Sequence, residues 1–245
     1  MTRIHYFDSL ASTNQYCELL DLNKEEEFAC YCARTQTAGI GQRGNHWEAE
    51  PRKNLTFSLI LHPHSIAIQD QFQITQILSL GIADWLERQI KDQPVSIKWP
   101  NDIYVGNRKI CGILVALKLK GDAIGTAIAG IGLNINQTQF SDWIPNPTSL
   151  QILTKREYNL DECLPHLIEA IKKRYSEATG SLNEDYLQHL YLRGKKSRFW
   201  HKERPIEATI TGIDSKGRLI LSSENGESII ADLKELRYKI DNKTI

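Results

Sequence analysis

The chain has 245 residues, enough for one large or two small domains with a hydrophobic core of their own. Hydrophobic residues make up 41% of it and charged residues 24%, which excludes a chain that is disordered, collagenous or coiled-coil throughout. Lysine plus arginine and aspartate plus glutamate each number 30, so the formal net charge is zero. Without an overall positive field, neither nucleic acid nor a membrane surface is an expected partner.

No apolar run approaches the ~20 residues that cross a bilayer. The N-terminus, Met1 to Asp8, also lacks the apolar stretch of a signal peptide. We therefore expect a cytoplasmic protein. The cysteines number 5, contain no C-x-x-C spacing and mostly fall within apolar patterns, which favours buried, reduced thiols.

The N-terminal part is predicted to mix strands and helices. Hydrophobic periodicity predicts a first strand that begins at Ile4, a helix from Ser12 to about Leu22, strands at 28–33 and 54–61, and an amphipathic helix over 74–86. The first helix is predicted partly because Ser12 and Gln15 have the spacing of a capping box.

An antiparallel meander is predicted between residues 95 and 134, because glycine-containing turn signals separate its apolar segments. Its strands are expected at 96–99, 103–105, 109–119 and 123–134. Helices follow at 160–175 and 182–190, and turn signals at 214–217 and 224–226 indicate short strands near the C-terminus. The expected fold class is α+β: a mixed β-sheet backed by helices over residues 1–195, then a small β-barrel over residues 196–245.

Three polar loops carry the candidate chemistry. Residues 39–44 (GIGQRG) could turn backbone amides toward an anion, or form a simple hairpin loop. Lys98 and Lys109 flank a hairpin with Asp102 between them, a set that could bind a phosphate with its magnesium ion or form a surface ion cluster. Residues 130–136 (GIGLNIN) end a strand with small residues and amides, which suit a flat heterocycle or a plain turn equally well.

Taken in order, these motifs resemble the biotin–protein ligase family, the biotin–[acetyl-CoA-carboxylase] ligases. The most specific block is residues 98–102 (KWPND) followed by Lys109 and Gly112. The resemblance covers nearly the whole chain, at residues 8–9, 12–14, 36–39, 43–44, 47, 54–55, 98–102, 109, 112–114, 132–134, 148–150, 212–214, 217 and 219. It implies a catalytic domain like that of class II synthetases and biotin–lipoate ligases, followed by an SH3-like β-barrel.

The resemblance also implies a reaction in two steps. The carboxylate of biotin attacks the α-phosphate of ATP, giving biotinyl-5'-adenylate and pyrophosphate, with Mg²⁺ accompanying ATP. A lysine of a biotin carboxyl carrier protein, from acetyl-CoA carboxylase or another biotin-dependent carboxylase, then attacks that mixed anhydride. Edges of the predicted strands would also allow two subunits to pair as a homodimer.

Residue roles follow from the same resemblance. The catalytic residues would be Lys109, Asp102, Lys98 and Arg43. Biotin would be held by Ser12, Thr13, Asn14, Gln36, Gly39, Ile40, Gly41, Gln42, Lys109 and Gly112. ATP would be held by Arg43, Trp47, Lys98, Asn101, Gly132 and Asn134. Asp102 would also help to place Mg²⁺.

The glycine segment departs from the family pattern. Arginines that the family usually carries are replaced here by Ile40 and Gln42, which leaves Arg43 as the single cation of the segment. Two hypotheses follow from this departure. Either Arg43 suffices to hold the adenylate, or the loop holds it loosely and lets it modify stray lysines.

Many members of the family carry an N-terminal DNA-binding domain. Because the first ligase strand begins at Ile4, we expect a monofunctional form without that domain. One alternative is a lipoate–protein ligase, but the polar residues predicted around a ureido ring argue against it. The other is a non-catalytic biotin or nucleotide sensor, which the retained Lys98, Asp102 and Lys109 argue against.

Overall fold

A computed structural model describes residues 2–177 and 181–239, apart from the side chain of Arg43. Its first strands are β1 (Ile4–Phe7), β2 (Cys30–Ala33), β3 (Leu55–Leu61), β4 (Val95–Lys98), β5 (Asp102–Val105), β6 (Arg108–Lys120) and β7 (Ala123–Leu133). They form a single sheet in the order β1-β2-β3-β7-β6-β5-β4. The β1–β2 pair is parallel and the other neighbours are antiparallel, which confirms the predicted mixed sheet.

The middle of this sheet is covered on both faces. Every residue of β3 is buried, as expected for a central strand between two layers. The turns of the predicted meander are also present. Gly106 joins β5 to β6 at a φ of +57° and Gly121 joins β6 to β7 at +61°, values that favour glycine over other residues.

The helices within the described residues are α1 (Thr13–Glu18), α2 (Phe72–Gln89), α3 (Leu150–Thr154), α4 (Leu160–Ser176) and α5 (Leu182–His189). α2 and α4 pack closely, since a Cβ added at Gly81 would lie only 2.6 Å from the Cα of Ile171. Arg174 of α4 ties three helices together by ion pairs with Asp84 of α2, at 2.5 Å, and Asp185 of α5, at 2.6 Å.

The C-terminal part forms a second, antiparallel sheet. Its strands are β8 (Lys196–His201), β9 (Arg204–Ile213), β10 (Leu219–Ser223), β11 (Ser228–Ala231) and β12 (Leu236–Tyr238), in the order β11-β10-β9-β8-β12. This sheet agrees with the predicted small SH3-like unit, called the barrel below. The turn between its strands β9 and β10 contacts the turn between β4 and β5, where Trp99 Nε1 donates a hydrogen bond to the Gly217 carbonyl at 2.7 Å. The domain boundary between residues 195 and 196 stays a prediction.

Several local expectations need correction. The helix α1 ends at Glu18 rather than near Leu22, and the Ser12 hydroxyl makes no capping hydrogen bond. The short helix α3 was not predicted at all. All five cysteines are free and buried, as expected. Within the described residues, no helix is both long and apolar enough to cross a membrane.

Candidate active site

A cluster of buried, uncharged polar groups lies where α1 meets the sheet. The Ser58 hydroxyl donates to Asn14 Oδ1 at 2.7 Å and lies 2.8 Å from the Thr13 hydroxyl. The backbone N–H of Thr13 donates to Gln36 Oε1 at 2.8 Å, and Asn14 Nδ2 donates to the Leu114 carbonyl at 3.3 Å. Each side chain is therefore fixed by its neighbours, so the cluster presents preset donors and acceptors to a pocket.

This pocket opens between the sheet and the glycine segment, and its space is about 720 Å³ when its open mouth is included. Its lining residues are Ser12, Thr13, Asn14, Gln36, Ile40, Gly41, Gln42, Asn45, His46, Trp47, Asn101, Asp102, Lys109, Gly112, Ile113, Leu114, Gly130, Ile131 and Gly132. Most of the predicted biotin-binding residues therefore share one cavity with Trp47, Asn101, Asp102 and Gly132.

The glycine segment forms a small hairpin-like cover over the pocket. Ile40 bridges to His46 as in an antiparallel pair, and the Gly41 N–H donates to the Asn45 carbonyl at 2.6 Å. A Cβ added at Gly39 would lie 2.4 Å from the Trp47 carbonyl oxygen, so this glycine permits a close backbone approach. Gly39 itself does not line the pocket.

Glycines of the sheet also line the pocket. Gly112 of β6 and Gly132 of β7 are register partners, and the Trp47 indole lies against both. A Cβ added at Gly132 would lie 2.2 Å from Trp47 Cε2. Gly132, which was predicted to hold ATP, therefore lies directly against the Trp47 indole in this structure.

The charged end of the pocket is an ion pair. Lys109 Nζ lies 2.7 Å from Asp102 Oδ1, and their side chains are 26% and 18% exposed. The same ammonium lies 5.5 Å from the centre of the Trp47 ring, within the range of a cation–π contact. Asn101, which also lines the pocket, donates its Nδ2 to the Ile113 carbonyl. The pocket is therefore lined by a cation and a carboxylate as well as by the neutral polar cluster.

Three predicted residues stand apart from this arrangement. Lys98 does not line the pocket; its Nζ donates to the Tyr104 hydroxyl at 3.2 Å. Asn134 is buried, does not line the pocket either, and donates its Nδ2 to the Thr148 carbonyl at 3.0 Å. The backbone of Arg43 lies in the 3-10 turn Gln42–Gly44, but its side chain is outside the described part of the structure. The predicted contacts of Lys98 and Asn134 with ATP stay predictions, and both side chains here hydrogen-bond to other residues.

Comparison with known proteins gives the family. A model of the Biotin/lipoate A/B protein ligase family matches residues 6–136, more than half of the chain. The Bifunctional ligase/repressor BirA of Salmonella typhimurium is 32% identical over 223 residues, which cover 87% of this chain and 67% of that protein. The chain belongs to the biotin/lipoate A/B protein ligase family.

Other proteins similar to this ligase agree with the assignment. The Biotin–[acetyl-CoA-carboxylase] ligase of Paracoccus denitrificans is 26% identical over 81% of this chain and 85% of its own length. The structure of the biotin protein ligase from Aquifex aeolicus in complex with biotin and ATP superposes with a TM-score of 0.80 at 24% identity. That comparison covers 98% of this chain and all of the other. The family and ligase class predicted from the motifs are therefore confirmed, as is the predicted fold.

Some residues of the ligase site were missed by the sequence analysis. Gly130 was noted only as a small residue at a strand end, yet a Cβ there would lie 2.4 Å from Asn14 Oδ1. Ser58 lay within the strand predicted at 54–61 without any role in the site, yet it contacts both Thr13 and Asn14. The alternation of Gly130 with Gly132 along β7 was the available signal, since residues two apart share one face of a strand.

Proposed function

We propose that this ligase attaches biotin to a lysine of a carrier protein in two steps. In the first step, a carboxylate oxygen of biotin bonds to the α-phosphorus of ATP, and the bond to the bridging oxygen breaks to release pyrophosphate. In the second step, a neutral lysine amine bonds to the carbonyl carbon of the adenylate, and AMP leaves. The amine proton is taken up as the amide forms.

One observation carries this proposal: the pocket joins a fixed neutral cluster to a lysine–aspartate pair. A ureido ring is uncharged and needs both donors and acceptors, which Ser12, Thr13, Asn14 and Gln36 supply. The acid group of the same molecule needs a cation, and Lys109 is the described cation that lines the pocket. The two ends of the pocket therefore match the two ends of biotin.

The Lys109 and Asp102 side chains have distinct roles in the proposed reaction. The Lys109 ammonium would hold the biotin carboxylate and the α-phosphate, offsetting the negative charge that grows as phosphorus becomes five-coordinate. Asp102 would then be free to orient the incoming amine and accept its proton. Their contact at 2.7 Å holds the two side chains beside each other before substrate arrives.

The site is also compatible with Mg²⁺ arriving with ATP. Asp102 is the one carboxylate among the described residues that line the pocket, and no cluster of three metal-ligating side chains occurs in the described part of the chain. Magnesium is commonly bound by one or two carboxylates together with substrate phosphates. Asp102 would hold the ion, which would neutralise phosphate charge.

The carrier and the setting of the reaction remain proposals. The name of the Paracoccus denitrificans relative supports a carrier domain of acetyl-CoA carboxylase as the acceptor. Pairing of two subunits and a cytoplasmic location stay predictions. The absence of nucleic-acid binding is likewise expected from a formal net charge of zero.

A lipoate ligase is the nearest alternative, because the family includes both activities. Lipoic acid carries a disulfide ring without hydrogen-bond donors, so it would leave the Thr13 and Asn14 side chains without partners from the ligand. A site built to hydrogen-bond its substrate discriminates strongly against an analogue that lacks those groups.

Release of pyrophosphate tests the first step. Purified protein is mixed with Mg·ATP and either biotin, lipoic acid or no acid, and pyrophosphate and the acyl-adenylate are quantified. We expect adenylate with biotin alone, and its loss in Lys109→Ala but not in Lys24→Met, a surface variant outside the pocket lining. Faster turnover with lipoic acid would refute the biotin assignment, and no turnover with either acid would support a non-catalytic sensor.

A further inference from the structure

Lys98 occupies a well-defined place outside the pocket. It is the last residue of β4 and is the register partner of Asp102, the first residue of β5. Directly opposed residues of an antiparallel pair project to the same face with Cβ atoms about 5 Å apart. The half-buried Lys98 side chain therefore begins next to that of Asp102, on the β4 side of β5, whereas the pocket is lined by residues of β6 and β7 on its other side.

The surroundings of the Lys98 ammonium are aromatic. Its Nζ lies 5.0 Å from the centre of the Tyr104 ring and 4.9 Å from the centre of the Tyr238 ring. Within the described residues it forms no ion pair, and Asp102 is the carboxylate that acts on it electrostatically. Burial lowers the pKa of Lys98, Asp102 opposes this effect and Lys109 adds to it. Asp102 thus has two lysines near it: Lys109, which forms an ion pair with it, and Lys98, its register partner on β4.

We propose that Lys98 is a positioning residue that stabilises the Asp102 carboxylate when Lys109 turns toward the substrate, and that Tyr238 of the barrel holds Lys98 in place. This inference rests on the proposed function, in which Lys109 binds the carboxylate of biotin. It assigns to Lys98 an action through Asp102 rather than the direct contact with ATP phosphates expected from the sequence.

Two carboxylates compete for the Lys109 ammonium group. Asp102 and the biotin carboxylate both attract Lys109, and Asp102 holds it at 2.7 Å. A carboxylate that is only 18% exposed is strongly disfavoured if its cationic partner leaves. Lys98, the second cation near Asp102, reduces that penalty, so Lys109 can leave Asp102 and bind the substrate at a lower cost.

The barrel contributes through β12. Tyr238 belongs to this strand, whereas Lys98 and Tyr104 belong to the larger sheet. The Tyr238 hydroxyl is buried and has no hydrogen-bond partner within the described residues. Its ring, rather than its hydroxyl, is therefore the part that contacts the lysine, and cation–π contacts of this kind are stronger away from water.

The test compares two ligands that differ in charge at one position. Calorimetry measures the affinity of the protein for biotin and for biotin alcohol, in which a neutral hydroxymethyl group replaces the carboxylate. Lys98→Met should weaken biotin binding about tenfold and change biotin alcohol binding less than about twofold. Intact binding of the alcohol shows that the pocket is folded, and Lys24→Met serves as the control for removing a lysine. Equal losses for both ligands, or no loss for either, would overturn the proposal.

A double-mutant cycle separates action through Asp102 from a general field effect. In an Asp102→Asn background, Lys98→Met should change biotin affinity less than about twofold, because no carboxylate then competes for Lys109. A tenfold loss in that background would overturn the proposal. Tyr238→Leu should reproduce a part of the loss for biotin alone, and Tyr238→Phe, which keeps the ring, should restore it.

These outcomes are distinguishable from failure of the proposed function. If the unmodified protein binds neither biotin nor its alcohol, the proposed function is wrong. If it binds both and the variants show no selective loss for biotin, the inference about Lys98 alone is wrong.

Discussion

Gly130 gives the sharpest structural prediction. In Gly130→Ala, the new Cβ would lie 2.4 Å from Oδ1, 2.7 Å from Cγ and 2.9 Å from Nδ2 of Asn14. Ordinary contacts between carbon and these atoms need at least about 3.4 Å, so the amide must retreat by about 1 Å. That movement breaks the hydrogen bond that Asn14 accepts from the Ser58 hydroxyl, a group that is 0% exposed.

The expected magnitude follows from the loss of these buried contacts. Leaving a buried donor or acceptor unsatisfied costs about 1–3 kcal/mol, so the free energy of unfolding should fall by about 2 kcal/mol. Biotin affinity should fall at least about tenfold because the Asn14 amide is displaced by about 1 Å, whereas the KM for ATP should change little.

Urea denaturation measures the first quantity and calorimetry the second. Gly212→Ala is the matched control, since its Cβ would meet nothing closer than Leu187 Cδ2 at 3.8 Å. A Gly130→Ala protein with unchanged stability and unchanged biotin affinity would refute the assignment of this cluster as the biotin end of the pocket.

Three further predictions concern the pocket cover and the core. In steady-state assays, Gly132→Ala should raise the KM for ATP more than Gly112→Ala does. The added Cβ would lie 2.2 Å from the Trp47 indole at Gly132 but 3.1 Å from it at Gly112. Equal increases in KM would contradict this prediction. Burial raises the pKa of the thiols, to about 12 at Cys17 and Cys32 and about 11 at Cys163, so a thiol reagent at pH 8 should find almost no reactive cysteine until denaturant exposes all 5. Rapid labelling of the native protein would contradict this burial. Ile40→Arg should reduce stray biotinylation of bystander proteins, measured by mass spectrometry, and no difference from the unmodified protein would discard the hypothesis of a leaky loop.

Periodicity predicted the regular elements well because burial decides them. The amphipathic helix expected over 74–86 is α2, and the meander expected between 95 and 134 contains β4 to β7 in order. The predicted helix cap at Ser12 is an exception. Ser12 has the spacing of a capping residue, yet its hydroxyl makes no capping bond and it lines the pocket instead. Local spacing could not reveal that a distant part of the chain would place a cavity beside it.

The motifs predicted which loops form the site, but not which way each side chain projects. Lys98 and Lys109 were placed in one candidate phosphate-binding set because both flank one hairpin. The structure separates them, since Lys109 points into the pocket and Lys98 packs against Tyr104 and against Tyr238, which lies 140 residues further along the chain. The contact between Lys98 and Tyr238 joins two sheets whose strands lie far apart in the chain. The local spacing of the two lysines therefore gives no signal of it.

The central claim is transfer of biotin to a carrier lysine, and one measurement tests it most directly. The purified protein is incubated with a biotin carboxyl carrier domain, biotin and Mg·ATP, and the mass of the carrier is followed beside a Lys109→Ala control. We expect the carrier to gain the mass of one biotin on a single lysine with the unmodified protein, and to gain none with the variant. Equal gains of mass with both proteins would contradict the transfer through Lys109. No gain of mass, together with no adenylate formed by the unmodified protein, would contradict the ligase function.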